Sequence, residues 1–134
     1  MAVVDASVIL AAFLKSDKNH RASISWLVSL VKAGNHFSSP TIILSEIAAP
    51  LGRAYGQPGL AIRLVKNLLS AKYCNLFPVT IPLASRSAVI AADYKIRGCD
   101  SIYVALAVAL NEDLITWDRQ QRERAKNLIN AYHL

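Results

Sequence analysis

Acidic residues are scarce in this sequence. Only nine of 134 residues are Asp or Glu, against 15 Lys or Arg, so the net charge is +6. The two cysteines, Cys74 and Cys99, can form at most one disulfide and lack the spacing of a metal site. Apolar residues make up 54% of the chain, which excludes intrinsic disorder. We therefore expect a single folded domain over residues 1–134, with both thiols reduced and buried.

Long apolar runs are also missing. The longest stretches without a charged residue, Ala33–Ser45 and Tyr73–Ser85, have 13 residues each, whereas a membrane-spanning helix needs about 20. No basic residue precedes Lys15, so a secretory signal is not expected. These absences predict a cytoplasmic protein without a membrane partner. The excess of Lys and Arg then favours a soluble polyanion as partner.

Common catalytic motifs are absent as well. The sequence has no GxGxxG, no GxxxxGK[ST], no HExxH and no GxSxG, so nucleotide-binding and catalytic-triad functions lack support. His20, His36 and His133 are far apart in the chain and have no ligand spacing. Any catalytic chemistry must therefore come from the acidic residues.

Short β-branched runs alternate with longer helical patterns. Pro40 is expected to open a helix that Pro50 kinks or ends, and Gly98 to close another. The predicted strands are Ala2–Asp5, Asn35–Ser38, Cys74–Val79, Asp113–Trp117 and Leu128–Tyr132. The predicted helices are Ala6–Leu14, His20–Ala33, Thr41–Ala49, Pro58–Lys72, Pro82–Arg97, Ser101–Leu110 and Arg119–Lys126.

This alternation predicts a parallel sheet of four to five strands with helices on both faces, an α/β fold. Ligands of such sheets bind beyond the carboxyl ends of the strands. Asp5 ends the first predicted strand and Asp118 follows the fourth. Both carboxylates would lie in one crevice if those two strands are neighbours.

Four carboxylates have both a structural and a functional interpretation. Asp5 could cap a helix, and Asp100 could be a cap or first-turn acid of the apolar helix that follows it. Glu46 shares a helix face with Ile42 and Ile43, so its charge needs either a basic partner or a metal. Asp118 could be a simple turn residue.

Taken together, these four carboxylates could form one acidic site. Clustered carboxylates raise each other's pKa unless a cation neutralises them. Oxygen ligands suit Mg²⁺ or Mn²⁺, and such ions can activate water and stabilise the charge of phosphoryl transfer. A basic surface around an acidic metal site indicates a nuclease.

The same residues resemble the motifs of PIN-domain ribonucleases. Val3–Leu10 is similar to the first motif, Leu44–Ile47 to the second, Gly98–Ala107 to the third and Thr116–Arg119 to the fourth. The motifs occur in the family's order over essentially the whole chain. Within the family, the chain most resembles the VapC toxins of toxin–antitoxin pairs.

The resemblance implies a three-layer α/β/α PIN-like fold and a specific set of functional residues. The Asp5, Glu46, Asp100 and Asp118 carboxylates would be the catalytic acidic quartet and would hold one or two Mg²⁺ or Mn²⁺ ions. A water activated by the metal would then attack an RNA phosphodiester.

Two further groups of residues match less specific positions. Ser7 and Thr116 correspond to hydroxyls that order the site, although capping and strand propensity explain them equally well. Arg119 and Arg122 could contact RNA phosphates or could belong to a solvated helix face.

The resemblance also implies partners, namely an RNA substrate, an antitoxin protein and a second copy of the chain in a homodimer. Leu60, Leu64 and Leu68 could serve an interface, but core packing is the alternative for most of them. The chain departs from the family pattern at Pro50 and at Cys99 and Ser101, where no carboxylate is lost. The other functions left open are a PIN nuclease of RNA processing without an antitoxin and a non-catalytic RNA- or protein-binding module.

Overall fold

A five-stranded parallel sheet forms the centre of the fold, in the order β3-β2-β1-β4-β5. The computed structural model describes all residues, 1–134. The strands are β1 (Ala2–Val4), β2 (Phe37–Pro40), β3 (Cys74–Phe77), β4 (Asp113–Ile115) and β5 (Ala131–Tyr132).

Seven helices connect and cover these strands. None of them is long and apolar enough to cross a membrane. They are α1 (Ala6–Phe13), α2 (His20–Lys32), α3 (Ile43–Arg53), α4 (Pro58–Ser70), α5 (Ile81–Tyr94), α6 (Gly98–Leu110) and α7 (Arg119–Ala125).

The order of the strands puts the helices in two layers. Strands β1, β2 and β3 follow one another towards one edge of the sheet, and β4 then lies on the other side of β1. Because parallel crossovers are right-handed, α5 and α6 cover the face opposite to α1–α4. The predicted three-layer α/β/α fold is therefore confirmed. The reversal of direction falls between β1 and β4, which is where ligands of such sheets bind.

The core lies between the sheet and these two helix layers. Val3, Val4 and Leu114 in the central strands are completely buried. Helix α6 packs against β1, β2 and β4, and its central residues from Tyr103 to Ala107 are all buried. The nearly uniform apolar character of this helix is thus explained by contact on every side.

The second strand differs from its prediction. It was predicted over Asn35–Ser38 with Pro40 opening a helix, but Pro40 is the last residue of β2 and α3 begins at Ile43. Ser38 and Ser39 are almost fully buried, and the Ser39 hydroxyl donates to the Val4 carbonyl at 2.5 Å. A strand with two buried serines has no apolar pattern, so the sequence placed it too early.

The end of α3 was also predicted wrongly. The helix continues through Pro50 to Arg53 and does not end at Ala49. Proline removes only one helical hydrogen bond, the one to the carbonyl of Glu46. Ile47 and Leu51, on either side of Pro50, are completely buried, so packing of this face compensates for the missing bond.

Two local features near residue 98 also differ from expectation. Helix α5 ends at Tyr94 with Lys95 in the left-handed conformation (φ 56°), and Gly98 opens α6 where it was expected to close α5. Consequently Cys99 lies in the first turn of α6 and is exposed, so the expectation of two buried thiols holds only for Cys74.

Candidate active site

Asp5 lies directly beyond the carboxyl end of β1. It is the N-cap of α1, where one carboxylate oxygen accepts the Ser7 backbone N–H at 2.9 Å. Its side chain lies deep in the fold, and burial raises its pKa above the ordinary aspartate value. Hydrogen bonds from Ser7 oppose this rise, whereas the charge of Asp100 adds to it. Asp5 is thus both a helix cap and a buried carboxylate beside a second one.

Glu46 lies in the first turn of α3 and is half-buried. Its partner is the Tyr103 hydroxyl, which donates to Oε2 at 2.5 Å, and not the basic residue that sequence analysis offered as one alternative. Burial raises the pKa of Glu46, and the charges of Asp5 and Asp100 raise it further, while the hydrogen bond from Tyr103 lowers it. The three carboxylates therefore interact electrostatically although they come from three separate segments.

The carboxylates of Asp100 and Asp118 are joined by one arginine. Arg97 precedes α6, and its Nε donates to Asp100 Oδ2 at 2.6 Å. A terminal nitrogen of the same guanidinium donates to Asp118 Oδ2. Asp118 also caps α7 by accepting the Gln121 backbone N–H at 3.0 Å. The four predicted acids thus lie at the ends of β1 and β4 and in the first turns of α3 and α6.

Two hydroxyls tie the ends of β1 and β4 together. Thr116 is fully buried, and its Oγ1 accepts the Asp118 backbone N–H at 3.1 Å. The Ser7 hydroxyl lies 3.4 Å from Thr116 Oγ1 and accepts the Trp117 backbone N–H at 3.1 Å. Both side chains therefore fix the turn that carries Asp118, next to the helix that Asp5 caps.

The two candidate phosphate-binding arginines differ in their surroundings. Arg119, the first residue of α7, is exposed and has no ion-pair partner. Arg122 donates to the Thr116 carbonyl at 2.7 Å, so its guanidinium helps to hold the end of β4. Of these two side chains, Arg119 is therefore the one free to meet a phosphate.

The leucines of α4 divide in a similar way. Leu64 and Leu68 are 2% exposed and belong to the core, whereas Leu60 is only partly buried. Core packing, the alternative for most of this set, accounts for the first two.

Sequence analysis missed Arg97 and Tyr103. Arg97 stands three residues before Asp100, a spacing at which an arginine can pair with an acid. Tyr103 is the only hydroxyl-bearing aromatic side chain of the apolar helix α6, and it is completely buried. A buried tyrosine hydroxyl needs a partner, so its position one turn after Asp100 was the available signal.

The donor set has the chemistry of a site for a divalent cation. All four side chains offer only carboxylate oxygens, the ligands that Mg²⁺ and Mn²⁺ prefer. Asp100 raises the pKa of both Asp5 and Glu46, a repulsion that a cation would relieve. No three acidic, histidine or cysteine side chains are grouped closely enough to hold an ion in this structure. The four carboxylates are chemically suited to bind a divalent metal. In this structure the positive charge that lies against two of them is the guanidinium of Arg97.

The chain matches a family model described as the PIN domain over residues 2–127. No curated protein has significant sequence similarity to it.

Several solved structures share this fold, among them a toxin–antitoxin complex from Klebsiella pneumoniae, with a TM-score of 0.66 at 19% identity, covering 91% of this chain and 90% of that one. VapC20 of Mycobacterium tuberculosis, described as a sarcin-ricin-loop-cleaving toxin, superposes with a TM-score of 0.79 at 15% identity, covering 92% of this chain and 94% of that one. VapBC2 of Rickettsia felis, bound to a promoter DNA fragment, gives 0.73 at 16% identity over 99% and 98%. FitAcB of Neisseria gonorrhoeae gives 0.73 at 18% identity over 98% and 96%. At these identities the likeness establishes a shared fold.

Proposed function

This chain belongs to the PIN domain family, and from that premise we propose that it is a divalent-metal-dependent endoribonuclease acting through Asp5, Glu46, Asp100 and Asp118. We propose further that it is the toxin of a toxin–antitoxin pair.

One observation carries the catalytic part of the proposal. The four carboxylates come from four separate segments and lie around the point where the order of the strands reverses. Burial raises the pKa of Asp5 and Glu46, and the charge of Asp100 raises both further. Burial of carboxylates costs free energy, and the hydrogen bonds from Ser7 to Asp5 and from Tyr103 to Glu46 offset this cost only in part, since the pKa of both acids stays raised. A function that needs the charges is the better explanation.

The roles of the side chains follow from their positions. The quartet would hold Mg²⁺ or Mn²⁺, and the bound ion would activate the attacking water and stabilise the charge developing on the phosphate. Ser7 and Thr116 keep Asp118 oriented through the turn after β4. Arg119 is free to contact an RNA phosphate beside this turn, and the surplus of 15 basic over nine acidic residues attracts the polyanion.

Cleavage of RNA by matched variants tests the catalytic assignment. We expect the wild type to cut RNA with Mg²⁺ or Mn²⁺ and to be inactive in excess EDTA, and Asp5→Asn and Asp100→Asn to be inactive with metal. Asp113→Asn is the control. Asp113 lies at the end of β4 that points away from the acidic quartet, so this variant should retain activity. Equal cleavage by all four proteins would reject the site.

Calorimetry separates the nuclease from a non-catalytic binding module. The nuclease requires binding of Mn²⁺ to the wild type and weaker binding to Asp5→Asn. RNA affinity without any binding of a divalent ion would favour the binding module instead.

The toxin assignment is supported by the fold that the chain shares with VapC20 and with the Klebsiella pneumoniae toxin–antitoxin complex. We expect induced expression of this chain to arrest bacterial growth, and Asp5→Asn to abolish the arrest. Co-expression of a short protein encoded next to this gene should restore growth and co-purify with the chain. A growing culture that expresses active enzyme, with no such neighbouring gene, would favour an RNA-processing nuclease.

A homodimer is part of the same proposal. Ile62 and Leu69 of α4 are 55% and 60% exposed, which leaves apolar surface on a helix whose inner face is core. Size-exclusion chromatography with light scattering should give a mass of two chains. A mass of one chain at micromolar concentration would reject the dimer.

A further inference from the structure

Arg97 is the only basic side chain that pairs with the acidic quartet. Its guanidinium donates to both Asp100 and Asp118, which are 18 residues apart in sequence. Asp100 lies in the first turn of α6, and Asp118 is the N-cap of α7. Arginine suits this role because its planar fork presents several donors in fixed directions. The contact therefore brings together two carboxylates that would otherwise repel each other.

The two contacts occupy one oxygen of each carboxylate, which is then not free to bind a divalent ion. Each ends on an Oδ2 atom, and the side chains of Asp100 and Asp118 are 14% and 27% exposed, so these oxygens lie at the edge of the site. The Arg97 side chain itself is 65% exposed. It can therefore swing into solvent without disturbing the core.

Electrostatics favours an exchange of one cation for another. The guanidinium contacts the carboxylates of Asp100 and Asp118 directly, so Arg97 lies in a strongly negative environment. A divalent ion offers twice the charge to the same carboxylates and repels the guanidinium at close range. Arginine and metal thus compete for Asp100 and Asp118.

We infer that Arg97 is a resident counter-ion of the metal-free site, which holds Asp100 and Asp118 together and which a divalent cation must displace in order to bind. This inference rests on the proposed metal-dependent function. Arg97 is a positioning residue here, since it acts through the two carboxylates.

Metal titration of matched variants tests the competition. By calorimetry, Arg97→Ala should bind Mn²⁺ about tenfold more tightly than the wild type, because two competing charge-assisted hydrogen bonds are lost and the exposure of Arg97 to solvent reduces their combined strength. Arg97→Lys keeps the positive charge but cannot donate to both carboxylates from one planar group, so its affinity for Mn²⁺ should lie between those of the wild type and Arg97→Ala. Arg63→Ala removes the same charge from an exposed arginine of α4 that pairs with no carboxylate, and should bind like the wild type.

The thermal midpoint provides a second readout that does not depend on activity. In EDTA, Arg97→Ala should unfold at a lower temperature than the wild type, because Asp100 and Asp118 lose their counter-ion. Saturating Mn²⁺ should close most of this gap. An equal loss of stability with and without metal would indicate a purely structural ion pair and would overturn the inference.

A measurement on the wild type covers the case in which the variants do not fold. The Arg97 Nε–Hε group should give a protected NMR signal in EDTA that is lost or shifted on adding Mg²⁺, and a signal unchanged at saturating Mg²⁺ would overturn the inference. If the wild type binds Mn²⁺ and Arg97→Ala binds it equally or more weakly, the inference is refuted but the proposed function is not. Absence of Mn²⁺ binding by the wild type refutes the proposed function and the inference with it.

Discussion

The hydroxyl of Tyr103 provides the most direct test of how this site is held together. It lies in the centre of α6, is completely buried and donates to Glu46 at 2.5 Å. Tyr103→Phe removes one oxygen atom and leaves the ring in the core. The change therefore isolates a single hydrogen bond between α6 and α3.

The expected cost follows from the charge and burial of the two partners. A hydrogen bond to a charged group contributes about 1.5–3 kcal/mol to folding. For 134 residues, the entropy of unfolding is about 0.3 kcal/mol/K near the midpoint, so this loss lowers the midpoint by about 5–10 °C. Glu46 is only half-buried, so water can replace the hydroxyl in part and the lower half of that range is expected.

The same substitution should alter the ionisation of Glu46. The hydrogen bond from Tyr103 lowers the pKa of this carboxyl against the rise caused by burial and by Asp5 and Asp100. Without the bond the pKa of Glu46 rises further, so less of it is ionised at a given pH. The acid limb of the pH profile for RNA cleavage should therefore move to higher pH in Tyr103→Phe.

Thermal unfolding and a double-mutant cycle provide the assay. Tyr103→Phe, Glu46→Gln and the double variant are compared, and the coupling energy should be about 1–2 kcal/mol. Tyr55→Phe, at a tyrosine that is 45% exposed, is the control and should unfold within about 1 °C of the wild type. A Tyr103→Phe midpoint as close to the wild type as this control, with no shift of the pH profile, would refute the reasoning.

Three other predictions concern Asp5, Thr116 and the two cysteines. Burial raises the pKa of Asp5, so the folded protein binds the carboxyl proton of Asp5 more tightly than the unfolded chain and loses stability as the pH rises through the folded pKa. Asp5→Asn should remove this loss of stability and unfold at a higher temperature than the wild type at pH 7. A lower thermal midpoint for Asp5→Asn would contradict the prediction. Thr116→Val should cost about 1–3 kcal/mol in urea unfolding and reduce RNA cleavage, because the Asp118 N–H loses its acceptor, and unchanged stability would exclude this role. Iodoacetamide should label Cys99 but not Cys74 in the native protein, since Cys74 is buried and its pKa is raised to about 12; mass spectrometry showing equal labelling would contradict this burial.

The sequence predicted the layers of the fold better than its connections. Periodic apolar residues identified α2 and α4, and a continuous apolar run identified α6, so all three helices were predicted within a few residues of their ends. The second strand was displaced because two buried serines give it no apolar pattern, and the Ser39 bond to Val4 is a tertiary contact. The ends of α3 and α5 were wrong because packing around Pro50 and a left-handed Lys95 override local propensity.

The sequence predicted which acidic residues form the candidate site but not which side chains contact them. The four carboxylates could be selected because each interrupts an apolar segment or begins a helix. The spacing of Arg97 and Asp100 would have allowed that pair to be predicted. The contacts from Arg97 to Asp118 and from Tyr103 to Glu46 could not be predicted from spacing, because they join distant segments. Whether the quartet binds a metal and cuts RNA stays a prediction.

The reversal of strand order between β1 and β4 has a consequence for biosynthesis. Asp5 is synthesised 113 residues before Asp118, its neighbour across the crevice, because Asp118 follows the fourth strand, which pairs with β1 on the side away from β2. Such long-range parallel pairing is slow to form. A nascent chain therefore lacks a complete quartet until β4 and Asp118 have been synthesised, so the proposed nuclease would be inactive towards its own ribosome up to that point.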